Sequence, residues 1–210
     1  MTTHRWILGA AAAVALAATA APATAQSIVG VRVFHLGARG GVSVPQGDFA
    51  GTDVDGLNAT TGFNAGVLLA ITPPALPLGL RIEGSYDRFG VDFGDVPELD
   101  GVDANWNILS GTVNATLAVP TAGPVQPYLI GGVGMYKTEL KVSDAGSSFS
   151  VDDTQVGFNG GAGLRFRLGV ISSFVEARFH TTTIELDLDE MGTTESQRIN
   201  FVPVSFGIVF

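Results

Sequence analysis

From about residue 35 onward the chain repeats one pattern, apolar residues at every second position, and it does so to its last residue. In the final segment Val202, Val204, Phe206, Ile208 and Phe210 share one face, and Phe201, Pro203, Ser205, Gly207 and Val209 share the other. Side chains of a strand alternate with period two, so one face here is wholly apolar. Beyond the N-terminal stretch, no run approaches the ~18–20 apolar residues that a membrane helix needs. Mean hydropathy is nevertheless +0.33 while the formal charge is −9. A closed barrel reconciles these values, because alternating strands present an apolar band to lipid that no helix-length window detects.

The N-terminus points to export. Met1 to Arg5 are short and basic, Trp6 to Ala21 are apolar and rich in alanine, and Ala23-Thr24-Ala25 is a small-x-small site before Gln26. That order predicts a cleaved leader over residues 1–25, followed by one barrel domain over residues 26–210. The chain has no cysteine. Neither disulfides nor thiolate metal sites therefore contribute to its fold.

Eight segments carry the alternation. The first, about His35 to Val44, sets Leu36, Ala38 and Val42 against Arg39 and Ser43; the second runs from Thr60 to Ile71. The third, Leu78 to Phe93, sets Leu80, Ile82, Gly84 and Tyr86 against Arg81, Glu83, Ser85 and Asp87. The fourth covers Asn105 to Val119 and the fifth Gln126 to Thr138, whose inward face stays open because Tyr128-Leu129-Ile130 is apolar on both sides. The sixth covers Gln155 to Leu168, the seventh Ile171 to Thr183, and the C-terminal segment is the eighth. Segments of ~9–11 residues suffice to cross a tilted path through a bilayer. The expected fold is all-β, an eight-stranded antiparallel up-and-down transmembrane barrel.

Three stretches carry a resemblance: residues 127–134, residues 160–166 and Val175-Glu176-Ala177-Arg178-Phe179. In them the chain resembles the small outer-membrane β-barrel superfamily, that is, the OmpA transmembrane domain, OmpX and the opacity proteins. The resemblance spans the expected mature chain and, unlike full-length OmpA, includes no peptidoglycan-binding domain. It implies residence in the outer membrane of a diderm bacterium, contact with its lipid and lipopolysaccharide, and insertion by the barrel-assembly machinery. Phe206, Ile208 and Phe210 then resemble the terminal insertion signal. No cofactor, metal or nucleic-acid partner is implied, and an extracellular partner stays unnamed.

Charge is sorted by segment. The stretches 46–58, 88–104, 138–153 and 184–198, read as long loops, hold 17 of the 20 acidic residues and only Arg88, Lys141 and Arg198 as bases. Strand charges lie mostly on the non-lipid face, because a charge facing hydrocarbon costs several kcal/mol. Arg81, Glu83, Arg165, Arg167, Glu176 and Arg178 are therefore expected to form a luminal ion-pair network. Eight strands enclose just enough room for side chains to fill, which favours a plugged bore over a pore. The acidic loops read as solvated surface. Cation binding by Asp53 and Asp55, or by Asp187, Asp189 and Glu190, is the alternative, although no EF-hand spacing is present.

Toward the loop ends the polarity flips. The face of Arg81 and Glu83 continues as Phe89, Val91 and Phe93, and that of Glu176 and Arg178 continues as Ile184 and Leu186. Trp106 and Ile108 open the fourth segment, and Ile199 and Phe201 the eighth, on faces that later become polar. Within the membrane the barrel's outside is oily, whereas above it the outside is water, so apolar residues turn inward. The strands are thus expected to project past the outer leaflet around a filled apolar core. The alternative is a vestibule for a small lipophilic ligand among Phe89, Phe93, Trp106, Leu186 and Phe201.

Two motifs look catalytic. Residues 131–138 suggest a phosphate loop, but Tyr136 occupies the place where that loop needs glycine, and no helix follows. His180, Thr182 and Glu176 resemble the His-x-Ser pair of lipid A deacylases, with threonine for serine and an inward-facing histidine. A hydroxyl nucleophile needs access to its substrate, so a luminal histidine is the preferred reading. The expected role is structural or in surface interaction, without catalysis and with a mostly closed lumen. A narrow porin-like channel or a carrier for a small solute is the alternative.

Overall fold

A computed structural model describes residues 33–51, 57–73, 76–91, 103–144, 147–168, 171–188 and 193–210. Over these residues alternation becomes architecture. Eight strands, β1 (Phe34–Gln46), β2 (Gly62–Ile71), β3 (Leu78–Gly90), β4 (Asp103–Ala118), β5 (Val125–Asp144), β6 (Ser147–Leu168), β7 (Ile171–Leu188) and β8 (Thr193–Val209), follow one another in order. Each pairs antiparallel with its neighbour, and β1 pairs with β8, so the sheet closes. A short 3-10 turn, Gly47–Phe49, follows β1. The expected leader lies outside the described residues.

β3 shows the two faces most clearly. Leu80, Ile82, Gly84, Tyr86 and Arg88 are exposed, whereas Arg81, Glu83, Ser85, Asp87 and Phe89 are buried. Around the barrel the outward positions are large and apolar, with Val67 at 63%, Leu109 at 57%, Met135 at 61% and Phe158 at 60% exposure. An apolar belt of this extent is stable only against hydrocarbon. On β5 the open phase resolves, with Gln126, Tyr128, Ile130, Tyr136 and Thr138 inward and Leu129, Val133 and Met135 outward.

The third and fourth long stretches, expected as loops, are largely strand. β5 and β6 stay paired from Val125↔Phe166 out to Asp144↔Ser147, and β7 and β8 pair as far as Leu188↔Thr193. β6 has 22 residues, about twice the ~9–11 that cross a bilayer. These hairpins therefore project well beyond the apolar belt. Asp152, outward on β6, is exposed, a solvated ladder position that sequence polarity alone does not separate from loop.

Candidate functional site

Buried side chains inside the barrel form three layers. Nearest the chain's C-terminus Leu68, Ala70, Tyr128, Ile130 and Phe174 form a small apolar floor. Two inward glycines make room for its rings: a Cβ on Gly207 would run into the Phe174 ring, and one on Gly163 into that of Tyr128.

Above the floor lies an ionic network built from β1, β3 and β7. Glu83 Oε1 is 3.2 Å from Arg39 Nε, and Glu83 Oε2 is 2.6 Å from Arg178 Nη1. Arg81 donates from Nη2 to both oxygens of Glu176 at 2.7 Å, and Arg178 Nε is 2.6 Å from Glu176 Oε1. Arg81 Nε also lies 3.3 Å from Glu83 Oε2, an ion-pair contact without hydrogen-bond geometry. The Tyr128 hydroxyl donates to Glu176 Oε2, and the Asn114 amide to Glu83 Oε2. All five charged side chains are 1–3% exposed. Buried charges persist only when paired and hydrogen-bonded, and here each carboxylate meets at least two guanidinium groups. β3 and β7 are four strands apart in either direction round the barrel, so the Arg81–Glu176 and Glu83–Arg178 bonds run straight across the bore.

Of the six residues expected in this network, the structure brings together Arg81, Glu83, Glu176 and Arg178. Arg165 lies apart, its guanidinium 5.4 Å from the centre of the Tyr128 ring, and Arg167 is exposed. Both sit near the turn end of β6, one and three residues past the partner of Val175. Arg39 takes the third cationic place. Its Nη1 also donates to Asn64 Oδ1 and Ser205 Oγ, which extends the network to β2 and β8. Beside it Ser43 donates to Asp87 at 2.5 Å and accepts from the Asn64 amide.

The third layer is aromatic. Phe49, Phe89, Trp106, Ile108, Tyr136, Ile184, Ile199 and Phe201 form one cluster, each at most 3% exposed. Phe89 packs edge-on against Phe49 at 5.0 Å and Phe201 at 5.5 Å, and Phe49 meets Trp106 at 6.0 Å. The indole N–H of Trp106 donates to the Leu57 carbonyl at 3.2 Å. Phe89, Trp106 and Phe201 are thus brought together as expected vestibule residues. Phe93 lies outside the described residues, as does the side chain of Leu186. Sequence reading missed Phe49, the ring that fills the middle, whose signal was a single aromatic residue in an otherwise acidic stretch.

His180 joins the two upper layers. Its ring stacks on Phe201 at 4.9 Å, and its Nδ1 is 2.9 Å from the Tyr136 hydroxyl. His180 and Thr182 are 1% and 4% exposed and face the lumen, away from the apolar belt. Among the described residues no group of three His, Asp or Glu could hold a metal ion. Asp53, Asp55, Asp189, Glu190 and the Asp187 side chain lie outside them. On β8 Phe206 and Ile208 point outward, and Phe210 at its end is exposed.

The comparisons agree with this geometry. No curated protein sequence matches the chain. Neisserial surface protein A is similar in structure, with a TM-score of 0.55, 16% identity, and coverage of 85% of this chain and 96% of its own. A major outer membrane protein from Thermus thermophilus is also similar, with a TM-score of 0.53, 13% identity, and coverage of 85% and 99%. At these identities the likeness is one of fold. The family defined as the outer membrane protein beta-barrel domain matches residues 9–201. With its closed antiparallel barrel and apolar outer belt, the chain belongs to that outer-membrane β-barrel family.

Proposed function

We propose that the protein is a structural or surface-interaction barrel whose bore is closed by the Arg39, Arg81, Glu83, Glu176 and Arg178 plug. The observation that carries this reading is the pair of ion contacts joining opposite walls, Arg81–Glu176 at 2.7 Å and Glu83–Arg178 at 2.6 Å. A permeating ion would have to part charges that hold each other in a low-dielectric bore, where such attractions are strong. The projecting hairpins β5–β6 and β7–β8 are then the surface offered to the exterior. Lipid and lipopolysaccharide surround the belt, the leader over residues 1–25 directs export, and Phe206, Ile208 and Phe210 serve insertion by the barrel machinery.

Catalysis is not part of this role. A lipid substrate approaches from outside the barrel, while His180 and Thr182 are buried within it. Planar-bilayer recording on the purified protein tests the closed bore. The expected record has no steady unitary conductance, and a stable ohmic pore in the unaltered protein would overturn the reading.

A further inference from the structure

The aromatic cap contains one ring that the barrel wall does not supply. Phe89, Trp106 and Phe201 are held by strand ladders, but Phe49 enters from the 3-10 turn beyond β1. That turn has no side-chain cap at Gln46, and Gly47 takes the left-handed conformation at φ 60°. Phe49 is 0% exposed and stands edge-on to both Phe89 and Trp106, as a bound aromatic molecule would. Aromatic pairs favour such edge-to-face contacts.

The box beneath it is not apolar throughout. His180 Nε2, Thr138 Oγ1 and Thr182 Oγ1 are buried and have no hydrogen-bond partner among the described residues. Their residues are 1%, 1% and 4% exposed. All three border the cluster: His180 stacks on Phe201, and Thr182 and Thr138 pair in register with its Ile199 and Ile108. With Nδ1 engaged by the Tyr136 hydroxyl, Nε2 is left to donate or to accept according to the tautomer, and a hydroxyl substituent can satisfy either. A buried polar atom left unpaired is costly, so three of them bordering the cluster favour a ligand that brings a polar substituent.

We propose that the extracellular mouth binds a small planar aromatic molecule with one hydrogen-bonding group, a phenol-class solute, and that Phe49 is the resident ring it displaces. This goes beyond the structural role above and does not depend on the closed bore. The solute is captured above the plug, so a conducting lumen would leave the site standing, and loss of the site would leave the plug intact.

The full barrel in bilayer nanodiscs provides the test. Trp6 and Trp106 are the chain's two tryptophans, so a Trp6→Phe background makes Trp106 the only indole reporter whether or not the leader is removed. Phenol and toluene are titrated against its fluorescence. Phenol is expected to give a saturable change, with affinity rising about tenfold or more in Phe49→Ala, since an occupied site binds in proportion to its free fraction. Toluene is expected to bind more weakly than phenol, and Thr182→Val to remove most of that difference. Phe63→Ala, which removes an outward ring, is expected to change nothing. Retained heat-modifiable gel mobility certifies each variant as folded, and Phe49→Leu replaces Phe49→Ala where the latter fails that check. The proposal is overturned by absence of saturable binding to the unaltered barrel, by equal affinity with and without the Phe49 ring, or by equal affinity for phenol and toluene.

Discussion

Glu83 receives Arg39, Arg81 and Arg178 within one buried layer, so its charge holds three others in place. Glu83→Gln keeps the shape and removes the charge, leaving guanidinium groups uncompensated. Breaking a buried pair in this way costs about 3–5 kcal/mol, and urea unfolding of the refolded barrel in lipid should show a loss of that order. Arg167→Gln, at an exposed position, should stay within about 0.5 kcal/mol of the unaltered protein. Gly163→Ala places a Cβ against the Tyr128 ring and should cost about 1–3 kcal/mol by overpacking. It should also weaken the Tyr128–Glu176 hydrogen bond, visible as a shifted tyrosine hydroxyl resonance. At this scale the sequence is only partly legible. Alternation assigns Arg81, Glu83, Glu176 and Arg178 to one face, but it does not say how high each stands in a sheared barrel. Arg39 therefore goes unassigned, while Arg165 and Arg167, on the right face, lie too near the turn end. Phe49 is invisible for another reason, since it belongs to no periodic segment.

Strand phase is the most readable property of the elements. Inward and outward residues of β3, β4, β6 and β7 follow directly from period two, because lipid on one side and a polar bore on the other penalise any slip by one residue. β5 is not readable, since Tyr128 and Ile130 are as apolar as their outward neighbours. Their inward side is explained by the apolar layer beneath the ion pairs, which they form with Leu68, Ala70 and Phe174. The extents of β5 to β8 exceed the sequence expectation because above the membrane both water and lumen reverse their demands, so outward acids such as Asp152 look like loop residues. The same reversal predicts a position-dependent penalty. Val113→Arg, on the outward face midway along β4, should destabilise by about 2–4 kcal/mol. Thr154→Arg, outward on β6 beside Lys137, should cost no more than about 0.5 kcal/mol. Parallel unfolding titrations of the two variants check this, and equal penalties would contradict a water-exposed position for Thr154.

For the whole molecule, the three luminal layers follow from one requirement, that each level of the wall match what lies outside and inside it. Where hydrocarbon surrounds the barrel, the bore holds the ion pairs; where water surrounds it, the bore holds Phe49, Phe89, Trp106, Ile184 and Phe201. A single strand should therefore pass from lipid to water along one face while its other face stays dry throughout. β6 runs through both regions, and the chain's lack of cysteine leaves introduced cysteines as the only labelling sites. Spin labels at Leu164, Ala162, Phe158, Thr154 and Asp152, read for collision with oxygen and with a water-soluble nickel chelate in liposomes, measure the boundary directly. Oxygen-dominated collision is expected from Leu164 to Phe158 and nickel-dominated collision at Thr154 and Asp152, with a label at the inward Asn159 shielded from both. Nickel access along the whole face, or strong nickel access at Asn159, would contradict a lipid-crossing barrel with a filled bore.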